Sequence, residues 1–232
     1  MVVAVVSVIP AYQAGKTIGR VVGIARKHSR VIVVDDGSTD GTFRLAKAAG
    51  AKAIRHGKNL GKAAALLTGI GAARKLRPEY LVLLDADGQH NPEEIPFLLA
   101  PLKKGLADVC IGTRLARSAK KRGKMPGHRK LANRISSAIT SAITREKITD
   151  MPSGYRAFNR RALAKLSFKS SHYEIELSTI LEAVAKGLRI AEVPIEAIYG
   201  REKSHVHPVK LIIGTWKLWA KWIFSRERFR RI

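Results

Sequence analysis

The first half of the chain alternates short apolar segments with longer amphipathic ones. The short segments are apolar at consecutive positions, as strands buried on both faces require: 2–9, 30–35, 53–56, 80–85 and 108–112. Helical patterns separate them, over 16–28, 42–49, 62–74 and 92–103. Asn91, Pro92 and Glu94 form a helix start signal, and Gly50 and Gly105 fall where helices end. This alternation predicts an α/β fold, a doubly wound (Rossmann-like), mostly parallel sheet flanked by helices.

Charge is the feature of the composition that narrows the function. The 232 residues include 43 Lys and Arg against 18 Asp and Glu, a formal net charge of +25. Such an excess favours a polyanionic partner, which is nucleic acid, an anionic membrane surface or a phosphorylated ligand. The lone Cys110 cannot form an internal disulfide, so nothing requires an oxidising compartment. No stretch reaches the ~18 uninterrupted apolar residues of a spanning helix, so we expect a soluble or peripheral chain.

The second half is more basic and ends in a helix of a different kind. One amphipathic helix is indicated by four apolar residues at helical spacing: Leu131, Ile135, Ile139 and Ile143. From about Pro208 the chain carries seven basic residues, one acid and three tryptophans. We predict one domain over residues 1–207 and a C-terminal amphipathic helix over 208–232. Indoles beside lysines favour a helix that lies in a membrane surface, and packing as core is the alternative.

Two strands of the predicted sheet end in acids. In LLDADGQHNPEE, at 83–94, Asp85, Asp87 and Gln89 lie two positions apart, so an extended backbone would direct them to one side. Oxygen ligands in this number suit Mg²⁺ or Mn²⁺ bridging to phosphates, and an Asx-rich turn is the alternative. In VVDDGSTDGT, at 33–42, Asp36 can accept a hydrogen bond from a base or a ribose, or the acids can simply form turns. Ligands of such sheets bind at this edge.

Other candidate groups and motifs are less specific. Lys62 would contact a phosphate or extend along its helix into solvent. Three scattered histidines have no metal-ligand spacing and are expected at the surface: His28, His56 and His128. Neither a GxGxxG fingerprint nor a GxxxxGK[ST] loop is present, which argues against dinucleotide redox enzymes and P-loop NTPases.

Five ordered segments resemble the inverting GT-A glycosyltransferases of family 2, and among them the dolichol-phosphate (polyprenyl-phosphate) mannosyltransferases and related glucosyltransferases. They are VIPAY at 8–12, VVDDGSTDGT, NLGKAAALLTG at 59–69, DADGQHNPEE and SGYRAF at 153–158. The resemblance implies a GT-A fold and metal-dependent transfer of mannose or glucose from GDP-mannose or UDP-glucose to dolichyl or polyprenyl phosphate. It implies Mg²⁺ or Mn²⁺ as cofactor. We accordingly expect a cytoplasmic protein, peripheral on the cytoplasmic face of the membrane.

The same resemblance assigns roles to individual positions. The nucleotide sugar would be bound by Pro10, Tyr12, Asp36, Asp85, Ala86, Asp87, Arg114, Ser153, Arg156, Arg201 and Lys203. The metal ligands would be Asp85, Asp87 and Gln89, and the catalytic residues Asp87, Arg114 and Arg129, with the two arginines near the phosphates. Many mannosyltransferases carry Glu at Ala14 and Ser-Lys at Ser204-His205, so the resemblance does not choose between the two donors.

Two other functions stay open from the sequence. One is a family 2 enzyme with a hydroxyl acceptor, for which Glu174 or Glu176 would supply the general base. A phosphate acceptor is already ionised at neutral pH and needs positioning rather than a base. The other is a basic nucleic-acid-binding protein, suggested by the net charge. Aromatic residues make up only 6% and no known nucleic-acid motif occurs, so we expect no specific nucleic acid.

Overall fold

The computed structural model describes residues 4–116, 121–122, 125–168, 175–198 and 208–229. The strands in these residues are β1 Val5–Ala11, β2 Arg30–Asp35, β3 Lys52–Arg55, β4 Tyr80–Leu83, β5 Val109–Thr113, β6 Lys121–Arg122, β7 Arg156–Asn159, β8 Ile190–Pro194 and β9 Ala197–Ile198. The helices are α1 Ile18–Ala25, α2 Thr42–Ala48, α3 Lys62–Arg74, α4 Ile95–Lys103, α5 Gly127–Thr144, α6 Arg160–Lys165, α7 Ile175–Ala185 and α8 Pro208–Phe229.

Seven of the strands form one sheet, in the order β3-β2-β1-β4-β7-β5-β8. Neighbouring strands are parallel except where β7 pairs with β4 and with β5. Strands β6 and β9 form a separate parallel pair. The predicted mostly parallel α/β sheet is confirmed. Because β7 is antiparallel, its first residue, Arg156, pairs with Leu83 and Ile111 at the carboxyl ends of β4 and β5. The segment that precedes β7 therefore enters at the edge where ligands bind such sheets.

Burial on both faces explains why β1 is apolar at consecutive positions. Val6 and Val8 pack in one apolar cluster with residues of α3, while Ile9 and Ala11 pack in a second cluster with residues of α1. Successive side chains of a strand point to opposite faces, so a strand between two helical layers needs apolar residues at both. The sheet is thus the centre of a three-layer domain.

The fourth predicted helix begins as expected but continues differently. Asn91 caps it by accepting a hydrogen bond from the N–H of Glu93 at 3.2 Å. Residues Pro92–Glu94 form a 3₁₀ turn before α4. The predicted strand over 189–198 is two strands, β8 and β9, because Pro194 has no N–H to continue the ladder.

Helix α8 packs on the domain through one of its sides. Trp219 is 4% exposed and lies in a third apolar cluster with residues of β5 and α7. Its Nε1 donates to Thr140 Oγ1 at 3.3 Å, and Trp222 Nε1 donates to the Ile143 carbonyl at 3.4 Å. Both contacts advance three residues along each helix, so α5 and α8 run in the same direction. Within the described ranges no helix has the length and apolarity to cross a bilayer.

Candidate active site

Polar side chains from four parts of the chain meet at the carboxyl edge of the sheet. Asp85 follows β4, Lys62 is the first residue of α3, Arg114 follows β5, and Glu176 lies in the first turn of α7. The segment before β7 passes between them: a Cβ added to Gly154 would lie 2.8 Å from Asp85 Oδ2 and 3.2 Å from Lys62 Nζ. Only a glycine allows the backbone to approach this pair so closely.

Lys62 bridges two carboxylates. Its Nζ lies 2.8 Å from Asp85 Oδ1 and 3.0 Å from Glu176 Oε1. Burial on its own would raise the pKa of Asp85, but the Lys62 ammonium, helped by His90 and Arg114, lowers that pKa to about 2. Burial would likewise lower the pKa of Lys62, but Asp85 and Glu176 hold it above its ordinary value. Asp85 and Lys62 are therefore both charged at neutral pH.

The DADGQ segment is a turn, and the prediction of an extended backbone there is wrong. Strand β4 ends at Leu83, residues 86–88 turn, and Gly88 adopts a φ of 75°. The N–H of Gln89 donates to Asp87 Oδ1 at 2.9 Å, which closes an Asx-type turn. Such a φ suits glycine and few other residues, so Gly88 bends the chain away from the strand direction.

The oxygen ligands at this edge suit a hard divalent cation. Asp85, Asp87 and Gln89 offer carboxylate and amide oxygens, which Mg²⁺ and Mn²⁺ prefer. In the described part of the chain, no three or more His, Cys, Asp or Glu side chains are grouped to hold a metal ion. A cation here would therefore complete its shell with water and phosphate oxygens, as Mg²⁺ does in nucleotide sites. The donor set fits Mg²⁺ or Mn²⁺ and does not fit Zn²⁺.

Arg114 is fixed by a buried ion pair with Asp150. Its Nε and Nη2 donate to the two carboxylate oxygens at 2.8 Å each, and its backbone N–H donates to Asp150 Oδ2 at 2.9 Å. Asp150 is fully buried and Arg114 is 8% exposed. Glu192 of β8 accepts from the N–H groups of Thr149 and Asp150, and its pKa is raised by burial. The pair holds the turn before β7 against the end of β5.

Arg156 fastens this segment to α7. Its nitrogens donate to three backbone carbonyls, those of Ser153 at 2.9 Å and of Glu176 and Met151 at 2.6 Å each. Burial lowers its pKa to about 10. Ser153 is also fully buried, and its Oγ has no hydrogen-bond partner in the described ranges. Arg156 therefore acts on the site through the backbone that it holds.

Asp36 holds the loop that carries Lys62. Its Oδ1 accepts from the Leu60 N–H at 3.0 Å and lies 2.7 Å from His56 Nδ1, while its Oδ2 accepts from the Gly61 N–H at 2.8 Å. His56 is 10% exposed at its side chain and also contacts Thr68, so the prediction that it lies at the surface is wrong. The neighbouring acid differs, as the next contacts show.

Asp35 is fully buried at the end of β2. Its Oδ1 accepts from the Ser38 N–H at 3.1 Å. Its Oδ2 lies 3.3 Å from Arg55 Nε but makes no hydrogen bond to the described residues, so the ion pair there lacks hydrogen-bond alignment. Of the two acids, Asp35 therefore retains an oxygen able to accept from a ligand.

The remaining predicted site residues have the following places. Pro10 is buried in β1, Tyr12 is exposed just beyond that strand, and Ala86 is buried in the turn after β4. Arg129 is exposed in the first turn of α5. Arg201, Lys203 and the alternative base Glu174 lie outside the described residues. The structure thus brings together the residues that follow β4 and β5, with the segment before β7.

Sequence reasoning missed a buried aromatic pair at the site. His90 stacks on Tyr155 with ring centroids 5.0 Å apart. Burial lowers the pKa of His90 to about 4, so the ring is neutral at pH 7. The only available signal was the position of both residues inside the two motifs. Asp150 carried no signal at all, because its partner Arg114 lies 36 positions away.

Comparison with known proteins agrees with this geometry. A family model described as Glycosyl transferase family 2 matches residues 7–167. A UDP-N-acetylglucosamine–dolichyl-phosphate N-acetylglucosaminyltransferase of Methanococcus voltae is 32% identical over 89% of this chain and 90% of its own. An undecaprenyl-phosphate mannosyltransferase of Micrococcus luteus is 30% identical over 97% of this chain and 98% of its own.

Solved structures show the same fold. Glucosyl-3-phosphoglycerate synthase of Mycobacterium tuberculosis, in complex with Mn²⁺, uridine diphosphate and glucosyl-3-phosphoglycerate, superposes with a TM-score of 0.72. The match covers 97% of this chain and 80% of that one at 22% identity, and it shows a shared GT-A fold. With the family model matched from β1 to beyond α6, the chain belongs to glycosyl transferase family 2 and is a glycosyltransferase.

Proposed function

We propose that this glycosyltransferase moves a hexose, mannose or glucose, from a nucleotide sugar to a polyprenyl or dolichyl phosphate at an anionic membrane surface, using Mg²⁺ or Mn²⁺. The observation that carries the lipid acceptor is an outward apolar face on the two C-terminal helices that pack together. Two relatives whose names specify dolichyl-phosphate and undecaprenyl-phosphate acceptors support it. We further propose that the protein is peripheral on the cytoplasmic face.

The outer face is defined by five exposed side chains: Leu131 and Ile135 of α5, and Trp216, Ile223 and Phe224 of α8. They are between 44% and 69% exposed. On α8 the three lie within an arc of about 100°, since successive residues of a helix are about 100° apart. The buried Trp219 lies outside this arc. Helix α8 therefore has one apolar side in the domain core and a second directed to solvent.

Lysines border the outer face, which favours a lipid surface as its partner. Lys217 and Lys221 are exposed and lie beside the apolar arc of α8. Apolar side chains flanked by lysines suit the headgroup zone of an anionic bilayer, where each basic residue contributes about 1 kcal/mol. Arg129 lies two residues before Leu131 on α5, so a lipid phosphate held at this level would meet its guanidinium.

The chain's own groups perform the transfer as follows. Asp85, Asp87 and Gln89 would hold the cation, which when bound offsets the charge on the leaving nucleotide diphosphate. Arg114, oriented by Asp150, adds a fixed positive charge at the same edge. The acceptor phosphate is already ionised, so attack on the anomeric carbon needs alignment by Arg129 rather than a general base.

The test is identification of the product. Purified full-length protein is incubated with GDP-mannose, UDP-glucose or UDP-N-acetylglucosamine, with MnCl₂ and with polyprenyl phosphate, and the lipids are analysed by mass spectrometry. We expect a glycosyl phosphopolyprenol from one donor. Glycosylation of 3-phosphoglycerate or of a hydroxyl acceptor, with none of the lipid phosphate, would contradict the proposed acceptor.

Substitution of the outer face should separate membrane binding from folding. The pair Trp216→Ser and Phe224→Ser is expected to lower partitioning onto phosphatidylglycerol vesicles roughly 100-fold, because each inserted aromatic contributes about 1.5 kcal/mol or more. Thermal unfolding should be unchanged, since both side chains are exposed. The matched control is Phe97→Ser with Leu106→Ser, two exposed apolar residues elsewhere, which should leave partitioning intact. Equal vesicle binding by both pairs would contradict the assignment of the outer face.

A further inference from the structure

The Lys62 ammonium occupies a carboxylate that the proposed cation site would use. Its Nζ lies 2.8 Å from Asp85 Oδ1, while the other end of the bridge is Glu176 at 3.0 Å. A divalent cation on Asp85 would therefore share this carboxylate with a fixed positive charge. Two like charges at such a distance repel strongly when water is partly excluded.

Lys62 cannot leave this position by movement of the backbone. The N–H groups of Leu60 and Gly61, directly before it, both donate to the buried Asp36. Gly154 passes over the ion pair from the opposite side, with its would-be Cβ 3.2 Å from Nζ. Only rotation of the lysine side chain itself can redirect its charge, toward an anion placed at the same edge.

We propose that Lys62 makes divalent-cation binding depend on the donor's diphosphate. Without a diphosphate, the ammonium on Asp85 weakens the attraction of the acids for a divalent cation. A diphosphate brings negative charge that attracts both the cation and Lys62, so their mutual repulsion is offset. By linkage, the cation and the nucleotide each strengthen the other's binding. This inference rests on the metal-dependent part of the proposed function and needs neither the lipid acceptor nor the membrane.

Titration with Mn²⁺ tests the coupling directly. Free Mn²⁺ is followed by electron paramagnetic resonance in the presence of full-length protein, alone and with saturating UDP or GDP. For the wild type we expect weak binding of Mn²⁺ alone and a large gain with one of the nucleotides. For Lys62→Met we expect Mn²⁺ alone to bind on the order of tenfold more tightly, because a repelling charge is removed. The gain on adding nucleotide should shrink.

Two further variants separate charge from shape. Lys62→Arg keeps the charge and should retain weak Mn²⁺ binding and the large nucleotide effect. Lys58→Met removes the same charge from an exposed lysine of the preceding loop, and should bind Mn²⁺ as the wild type does. Lys62→Gln keeps hydrogen-bond donors for both carboxylates, and should behave as Lys62→Met does. Circular dichroism verifies folding of each variant.

The opposite results are distinct. Mn²⁺ binding by Lys62→Met and Lys62→Gln that is no tighter than that of the wild type, without nucleotide, overturns the proposal. So does the absence of Mn²⁺ binding with either nucleotide, and so does failure of both neutral variants to fold, which would make Lys62 a structural residue. Failure of the glycolipid assay with the expected titrations would instead contradict the lipid acceptor alone.

Discussion

Asp87→Asn is expected to lower glycosyl transfer on the order of 10³-fold or more while the protein stays folded. The carboxylate lies in the turn after β4, partly exposed, and its proposed task is to bind the cation that offsets charge on the leaving diphosphate. Asparagine keeps the shape and one oxygen, so the turn closed by the Gln89 N–H can still form. Initial rates and thermal unfolding of the two proteins, measured side by side, check both statements.

The control and the metal dependence sharpen this prediction. Glu79→Gln removes one negative charge at the opposite end of β4, from an exposed residue, and should leave the rate unchanged. Treatment with EDTA should inactivate the wild type, and Mn²⁺ or Mg²⁺ should restore activity where Zn²⁺ does so poorly. Full transfer by Asp87→Asn, or by the wild type in EDTA, would show that Asp87 holds no catalytic cation.

The sheet was predictable because its strands carry local signals. Consecutive apolar residues in β1 required helices on both faces, and the helix predicted over 62–74 has the bounds observed for α3. The rule that ligands bind at the carboxyl ends of parallel strands then placed Asp85 and Arg114 at one edge. These inferences need only the sequence within one element and the direction of the strands.

What sequence reasoning could not supply are contacts between distant parts of the chain. Lys62 and Glu176 lie 114 positions apart, and no local pattern pairs them. The sequence left Lys62 with two readings, a phosphate contact or exposure to solvent, and its bridge between two carboxylates is neither. Asp36 was assigned to the nucleotide from its motif, while the structure shows both its oxygens bound to the loop before α3.

Helix α8 shows why a single amphipathic pattern was ambiguous. Trp216, Trp219 and Trp222 spread over a broad side of the helix, which fitted both a membrane surface and a core. In the structure Trp219 is buried and Trp216 exposed, with their rings edge to face at 5.4 Å between centroids. A helix with apolar residues on two sides gives no clear direction from sequence, because burial depends on which neighbours pack against it.

The second large effect that we expect concerns stability. Asp150→Ala should destabilise the fold by about 3–5 kcal/mol, because it leaves the Arg114 guanidinium buried without its counter-ion. For a domain of this size that corresponds to a fall in the unfolding midpoint of roughly 10 °C. The loss should exceed what the ion pair itself contributes, since most of it is the cost of an unpaired buried charge.

Glu93→Ala provides the comparison, because the Glu93–Lys27 pair has a similar distance, 2.7 Å, but is exposed to solvent. Its removal should leave the unfolding midpoint close to that of the wild type. The double variant Asp150→Ala with Arg114→Met should recover part of the lost stability, because no charge then remains buried there. If Asp150→Ala melts as the wild type does, Arg114 must find another partner at the site. Its orientation toward a phosphate would then not depend on Asp150.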